Sequence, residues 1–307
     1  MKTAFLFSGQ GSQYPGMGAE LAAKFDSAKM ILECGSDILG YDLLKKLTDS
    51  TAEELAQTRL SQPAIFTVSL LALNTVRENG VENCAVAGHS LGEYAAMYAA
   101  GMLTLEDAFK AIKLRSAAMA KAAESTHGAM AAVIGADSAA IEEVCAGVNG
   151  YCVPANYNCP VQTVIAGDSA AVDEAVNAFT ERKIRCVKLA VSAAFHTKHM
   201  ESAAAEFKEQ IAGFAFGKPN CDFYSNLYGA KMTDFADMPS YLAAHICNPV
   251  KFTDELNAMN EAGVEAYVEL GPGKVLSGLV RKTLKPAVNT YVENAETLDK
   301  ALAAING

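Results

Sequence analysis

The chain has 307 residues, 51% hydrophobic and 20% charged, with a formal net charge of −10. That balance supports a substantial core and argues against global disorder. The acidic charge argues against general nucleic-acid binding, because phosphates reward basic surfaces; a local basic patch would still serve an acidic protein partner. The length fits two domains or one large domain with an insert. The eight cysteines form no CxxC pair, the opening MKTAFLFSGQG is too short for a signal-peptide core, and no apolar run reaches the ~18 residues of a membrane span. The expectation is a soluble cytoplasmic protein with reduced thiols and no membrane partner.

Taken in chain order, Thr3–Phe7 reads as a buried strand ending at the loop Ser8-Gly9-Gln10-Gly11-Ser12. Residues 63–76 read as an apolar helix opened by Pro63, 84–87 as a short strand entering a turn at Gly88, and 91–100 as a helix. Residues 105–123 read as a helix with Thr104 as N-cap and Glu106 and Asp107 in its first turn. Residues 128–190 have their own rhythm. Strand 129–134, helix 137–146, strands 151–156 and 163–166 with a turn at Asn158-Cys159-Pro160, helix 168–182 and strand 184–189 give a ferredoxin-like βαββαβ order. A strand at 264–270 then ends at Gly271-Pro272-Gly273. The alternation predicts an α/β fold, with a large α/β domain from residues 1–126 and 191–307 and a small inserted domain at 127–190.

Gly88-His89-Ser90-Leu91-Gly92 fits G-x-S-x-G between a predicted strand and helix. A sharp turn there lifts the serine hydroxyl off the backbone, and the glycines let neighbouring segments approach. The helix start aims backbone N–H groups at developing negative charge. A serine nucleophile needs a base, usually histidine. Of His89, His127, His196, His199 and His245, His89 is adjacent to the serine and its side chain should diverge. His127 falls in a linker. His196 follows a predicted strand and loop, a common place for catalytic residues, and ranks first. A zinc reading of His196-Thr197-Lys198-His199 lacks the HExxH spacing and a third ligand.

On the 105–123 helix, Leu105, Ala108, Ile112, Arg115, Met119 and Ala122 share one stripe, so Arg115 interrupts an apolar face. A buried guanidinium needs an internal carboxylate or a carboxylate delivered by a substrate. Its planar fork suits the latter through two hydrogen bonds. A structural ion pair or a snorkelling side chain would account for the same position.

These residues, taken in order, resemble the malonyl-CoA:acyl carrier protein transacylases of fatty acid synthesis, a family related to polyketide synthase acyltransferase domains. The landmarks are Phe7-Ser8-Gly9-Gln10-Gly11-Ser12-Gln13, Gly88-His89-Ser90-Leu91-Gly92-Glu93-Tyr94, Arg115 with Met119, 128–133, Asn156-Tyr157-Asn158, 164–167, Ala194-Phe195-His196, Asn248-Pro249-Val250 and Glu269-Leu270-Gly271-Pro272-Gly273. The resemblance implies an α/β-hydrolase-like core with a ferredoxin-like insert. It implies Ser90 as the acylated nucleophile, His196 as its base, and Gln10 and Leu91 as oxyanion-hole N–H donors. Arg115 would hold the malonyl carboxylate, with Met119, Phe195 and Asn158 also binding substrate. In related acyltransferases an aromatic residue before the histidine goes with malonyl rather than methylmalonyl. The family uses no metal and no redox cofactor; malonyl-CoA and acyl carrier protein are its substrates. One residue departs from the commonest pattern. Four residues before Pro249, where many relatives carry glutamine or asparagine, this chain has His245, and in the family the backbone carbonyl there orients the catalytic histidine.

Three other readings share parts of the pattern. A serine hydrolase leaves Arg115 without a role. A standalone acyltransferase serving a polyketide synthase keeps the chemistry and changes the partner. A binding module using the Gly-rich loop for phosphate lacks the GK[ST] of a P-loop. Lys183, Arg185, Lys188 and Lys198 are candidates for the basic patch that an acidic carrier protein requires.

Overall fold

A computed structural model describes residues 1–191 and 193–307. Its strands are, in chain order, β1 (Thr3–Phe7), β2 (Ala85–Gly88), β3 (Gly128–Ile134), β4 (Cys152–Cys159), β5 (Gln162–Asp168), β6 (Arg185–Lys188), β7 (Asp222–Ser225), β8 (Ala230–Lys231), β9 (Ala266–Leu270) and β10 (Val288–Val292). They form a six-stranded sheet in the order β10-β9-β1-β2-β7-β8 and a four-stranded sheet in the order β4-β5-β3-β6.

The large sheet is parallel except for β8, which pairs antiparallel with β7. All five residues of β1 are buried, as expected where helices cover both faces of a parallel sheet. Side-chain alternation divides the strand between two cores. Phe5 and Phe7 join the cluster built with the Thr58–Glu78 and Leu105–Ser125 helices. Ala4 and Leu6 join the one built with the Phe252–Glu261 and Val275–Thr283 helices.

The small sheet is wholly antiparallel. One face packs Ala131, Val133 and Ile165 against Ile141, Val144, Val172 and Phe179 of the Ser138–Gly147 and Ser169–Glu181 helices. The other face offers Met130, Ala132, Val164 and Ala166 to the main core, so the two sheets meet across a cleft. The βαββαβ order agrees with the pattern expected from the sequence.

Two boundaries differ from expectation by more than two residues. The helix expected to open at Pro63 begins at Thr58 and carries Pro63 inside it. The extra turn is closed by the Leu60 and Ser61 N–H groups, which donate to the Gln57 carbonyl at 2.8 Å each, so the usual preference of proline for the first helical position misplaces the start. The expected turn at Asn158-Cys159-Pro160 comes too early, because β4 runs to Cys159 and β5 starts at Gln162. Two register shifts in the β4–β5 ladder break the simple alternation that marks a strand. Among the described residues no helix is long and apolar enough to cross a membrane.

Candidate active site

β2 ends at Gly88 and the Gly92–Ala99 helix begins four residues on. Between them Ser90 has φ 55°, a left-handed conformation uncommon for a residue with a side chain. The turn is tight enough to require both flanking glycines. A Cβ on Gly88 would lie 2.0 Å from the Gly92 carbonyl carbon, and one on Gly92 would lie 2.1 Å from the Phe7 carbonyl oxygen. The serine hydroxyl is thereby raised at the C-terminal end of the sheet.

His196 comes to it from a separate loop, itself at φ 59°. Its Nε2 lies 2.7 Å from Ser90 Oγ. Its Nδ1 faces the carbonyl oxygens of His245 at 3.1 Å and Asn248 at 3.2 Å. Two carbonyls accept only if Nδ1 carries the proton, which leaves the Nε2 lone pair toward the serine. Burial, reinforced by the nearby Arg115 charge and then His89, pushes His196 down to about 3. The ring is therefore neutral at pH 7 and able to accept a proton.

Arg115 is fully buried. Its Nη1 donates to Gln62 Oε1 at 2.8 Å and its Nη2 to Ser90 Oγ at 3.1 Å. The guanidinium carbon lies 5.4 Å from the centre of the Tyr94 ring, and Nε has no partner. No carboxylate forms an ion pair with it among the described residues. Burial lowers its pKa. The arrangement disfavours a structural ion pair and leaves N–H groups of a buried cation available beside the nucleophile.

The cavity in front of Ser90 measures about 100 Å³ and is lined by Gln10, Gln62, Met119, Phe195 and His196, among others. Met119 and Phe195 thus share one cavity with Ser90. A second cavity of about 230 Å³ shares Gln10, His89, Asn156 and Leu189 with the first and includes Asn158. His89 Nε2 lies 2.8 Å from Asn158 Oδ1, so the ring turns toward β4 and away from the base. A larger open groove of about 950 Å³, bordered by Phe25, Lys29 and Leu44, shares no residue with these cavities.

Gln10 lines the same cavity as Ser90, and Leu91 follows Ser90 in the chain. Among the described residues neither N–H is taken up by a hydrogen bond. Leu91 is the N-cap of the Gly92–Ala99 helix, where helical N–H groups have no internal partner. Two free donors beside a nucleophile suit a developing oxyanion.

The remaining candidates separate. The His245 ring is buried, and its backbone carbonyl meets His196. His199 Nε2 pairs with Asp168 at 3.0 Å, so His196 and His199 do not share a ligand site. Lys188 is tied to Asp173 at 2.6 Å, and Lys198 lies 3.9 Å over the Tyr151 ring. The sequence reading assigns no role to Gln62, Glu93 or Asn226, all buried at this site. Gln62 carries a usable signal, a polar residue on an apolar helix face. Asn226, which accepts the Ser90 N–H at 2.7 Å, carries none.

Residues 4–300 match the family described as acyl transferase domain. The chain is 37% identical over 308 residues to the malonyl CoA-acyl carrier protein transacylase of Bacillus subtilis (strain 168), covering 99% of this chain and 97% of that protein. The crystal structure of malonyl CoA-acyl carrier protein transacylase from Clostridium perfringens has a TM-score of 0.95 at 33% identity, covering 100% of this chain and 98% of that one. A solved complex of a type II PKS acyl-carrier protein with its malonyl-transacylase has a TM-score of 0.92 at 34% identity, covering 99% of each chain.

Proposed function

The chain belongs to the acyl transferase domain family, and from that premise we propose that it moves malonyl from malonyl-CoA to the phosphopantetheine thiol of acyl carrier protein through a malonyl ester on Ser90. The observation that carries this reading is Arg115, a buried guanidinium with no carboxylate partner among the described residues and with Nη2 at 3.1 Å from the nucleophile. In a malonyl-serine ester the free carboxylate is three bonds from Oγ, within reach of that group. A simple hydrolase gives the charge no task.

In the first half-reaction Ser90 Oγ attacks the thioester carbonyl while its proton passes to His196 Nε2. The oxyanion takes the N–H groups of Gln10 and Leu91. As it collapses, the carbon–sulfur bond breaks and CoA leaves as a thiol, protonated from His196. In the second, the carrier thiol gives its proton to His196 and attacks the ester carbonyl. The carbon–oxygen bond breaks and the proton returns to Ser90. The His245 and Asn248 carbonyls hold the imidazole in the tautomer both halves require, the task an aspartate performs in other triads.

In this reading residues 1–126 and 191–307 form the catalytic domain, and 127–190 a smaller one that walls the cleft. Lys183, Arg185 and Lys198 offer basic groups to an acidic carrier protein, while Lys188 is already compensated by Asp173. The reaction supplies fatty acid synthesis in the cytoplasm, where the eight free cysteines would stay reduced. Because one solved relative is a complex with a type II PKS acyl-carrier protein, a polyketide carrier is the second reading. The deciding experiment incubates the protein with malonyl-CoA and either fatty-acid or polyketide holo-carrier protein, and follows the products by mass. Malonyl-carrier thioester supports transfer and the faster carrier names the pathway; free malonate at the same rate with and without carrier contradicts it.

A further inference from the structure

β7 lies beside β2, with Ala85 opposite Asp222 and Val86 opposite Phe223. The two strands run parallel, so the residue following β7 emerges beneath the Ser90 turn. That residue is Asn226, fully buried. All four hydrogen-bonding positions of its side-chain amide are occupied. Oδ1 accepts the Ser90 N–H at 2.7 Å and lies 3.2 Å from His245 Nε2. Nδ2 donates to the Gly88 carbonyl at 2.6 Å and to Glu255 Oε1 at 2.7 Å. The amide can face only one way, because a backbone N–H only donates and a carbonyl only accepts. Its own backbone is held as tightly: the Asn226 N–H donates to Glu93 Oε1 at 2.5 Å and its carbonyl accepts the Lys251 N–H at 2.9 Å.

One side chain therefore spans the first half of the turn that carries the nucleophile, from the Gly88 carbonyl to the Ser90 N–H. It also touches the ring of His245, whose carbonyl fixes His196. We infer that Asn226 is a positioning residue for the transfer reaction: by clamping the Gly88 carbonyl to the Ser90 N–H it holds Ser90 in its left-handed conformation, with Oγ at His196 and the Leu91 N–H aimed at the cavity. The inference rests on Ser90 being the nucleophile.

The chemistry of the clamp sets the test. Asn226→Ala removes it. Asn226→Asp keeps the volume but places an oxygen against the Gly88 carbonyl, which can only accept. Small misplacements of reacting groups cost about 10²-fold, so both variants should slow malonylation of the enzyme by roughly 10- to 100-fold, with KM for malonyl-CoA changed by less than about threefold. The Asn226→Asp defect should ease as pH is lowered and its carboxyl gains a proton to donate. A wild-type acylation rate in Asn226→Asp, or a loss carried wholly in KM, overturns the proposal. If neither variant folds, amide hydrogen exchange in the wild-type protein decides: the Ser90 N–H should exchange slowly, although its acceptor is a side chain, and fast exchange overturns the clamp. Wild-type protein that forms no malonyl adduct on Ser90 defeats the functional reading itself, whereas a normal wild-type adduct with equally fast variants defeats only the role of Asn226.

Discussion

Arg115→Ala separates substrate recognition from scaffold. The wild-type guanidinium is buried, donates to Gln62 and Ser90, and leaves Nε unpartnered. In the variant a malonyl carboxylate would enter the cavity in front of Ser90 with no cation to meet it. Breaking one side of a buried ion pair costs about 3–5 kcal/mol, which at about 1.4 kcal/mol per decade is roughly 140- to 3,700-fold in kcat/KM. Acetyl-CoA delivers no carboxylate and serves as the internal control. It shares the loss of the Arg115–Ser90 hydrogen bond, so its acylation reports that contribution alone. Removing the charge also lifts one of the influences that depress His196, but burial, the largest of them, remains, and the base stays neutral at pH 7. The assay is rapid-quench intact mass of the acyl-enzyme with the two substrates in parallel. The malonyl rate should fall at least tenfold further than the acetyl rate, on the ion-pair magnitude above. Equal losses would show that Arg115 only supports the turn, and the carboxylate argument would be wrong.

Three further outcomes follow from the same geometry. His196→Ala should slow acylation by about 10²–10⁴, and because His196 is pushed down to about 3 the wild-type rate should stay level as pH falls from about 8 to about 5.5; a limb near the ordinary histidine range contradicts the buried, neutral base. Phe195→Ser opens space beside the acyl chain and should narrow the kcat/KM preference for malonyl over methylmalonyl by an amount within the about 1–3 kcal/mol of methylene-scale selection; an unchanged ratio removes Phe195 from selectivity. Burial raises Glu93 from 4.5 to about 8, against the pull of the Asn226 N–H, the Tyr241 hydroxyl and Arg115. Because the folded state keeps this proton while the unfolded chain has lost it, the contribution is full below 4.5 and is lost as pH rises to about 8. Urea unfolding should therefore show wild type losing stability relative to Glu93→Gln by up to about 1.4 kcal/mol per pH unit in that window; parallel curves would place the proton elsewhere.

What was legible in the sequence follows a physical line. Ser90 could be read because a nucleophile turn needs local glycines and an adjacent helix start, all within five residues. Arg115 could be read because a charge on an apolar stripe is a local contradiction. His196 needed the resemblance to rise clearly above four other histidines, since its partners, the His245 and Asn248 carbonyls, lie about fifty residues away and carry no side-chain signal. Asn226 was not legible at all. It reaches Ser90 across a separation of 136 residues, through the β2–β7 pairing, and an asparagine after a strand looks like any turn residue. Gln62 lies just outside the expected helix because Pro63 reads as its start. Asn158 reads as a turn residue because bulges in β4 hide its alternation, yet it reaches His89.

A malonyl ester on Ser90 that is passed to a thiol defines the proposed reaction. Its most direct test is intact mass of wild-type and Ser90→Ala protein after mixing with malonyl-CoA, followed by peptide mapping and then addition of holo acyl carrier protein. One malonyl adduct is expected on Ser90 in the wild type, none in the variant, with transfer of that adduct to the carrier's phosphopantetheine. An adduct of equal yield in Ser90→Ala, or one released only as free malonate when carrier is added, would contradict it.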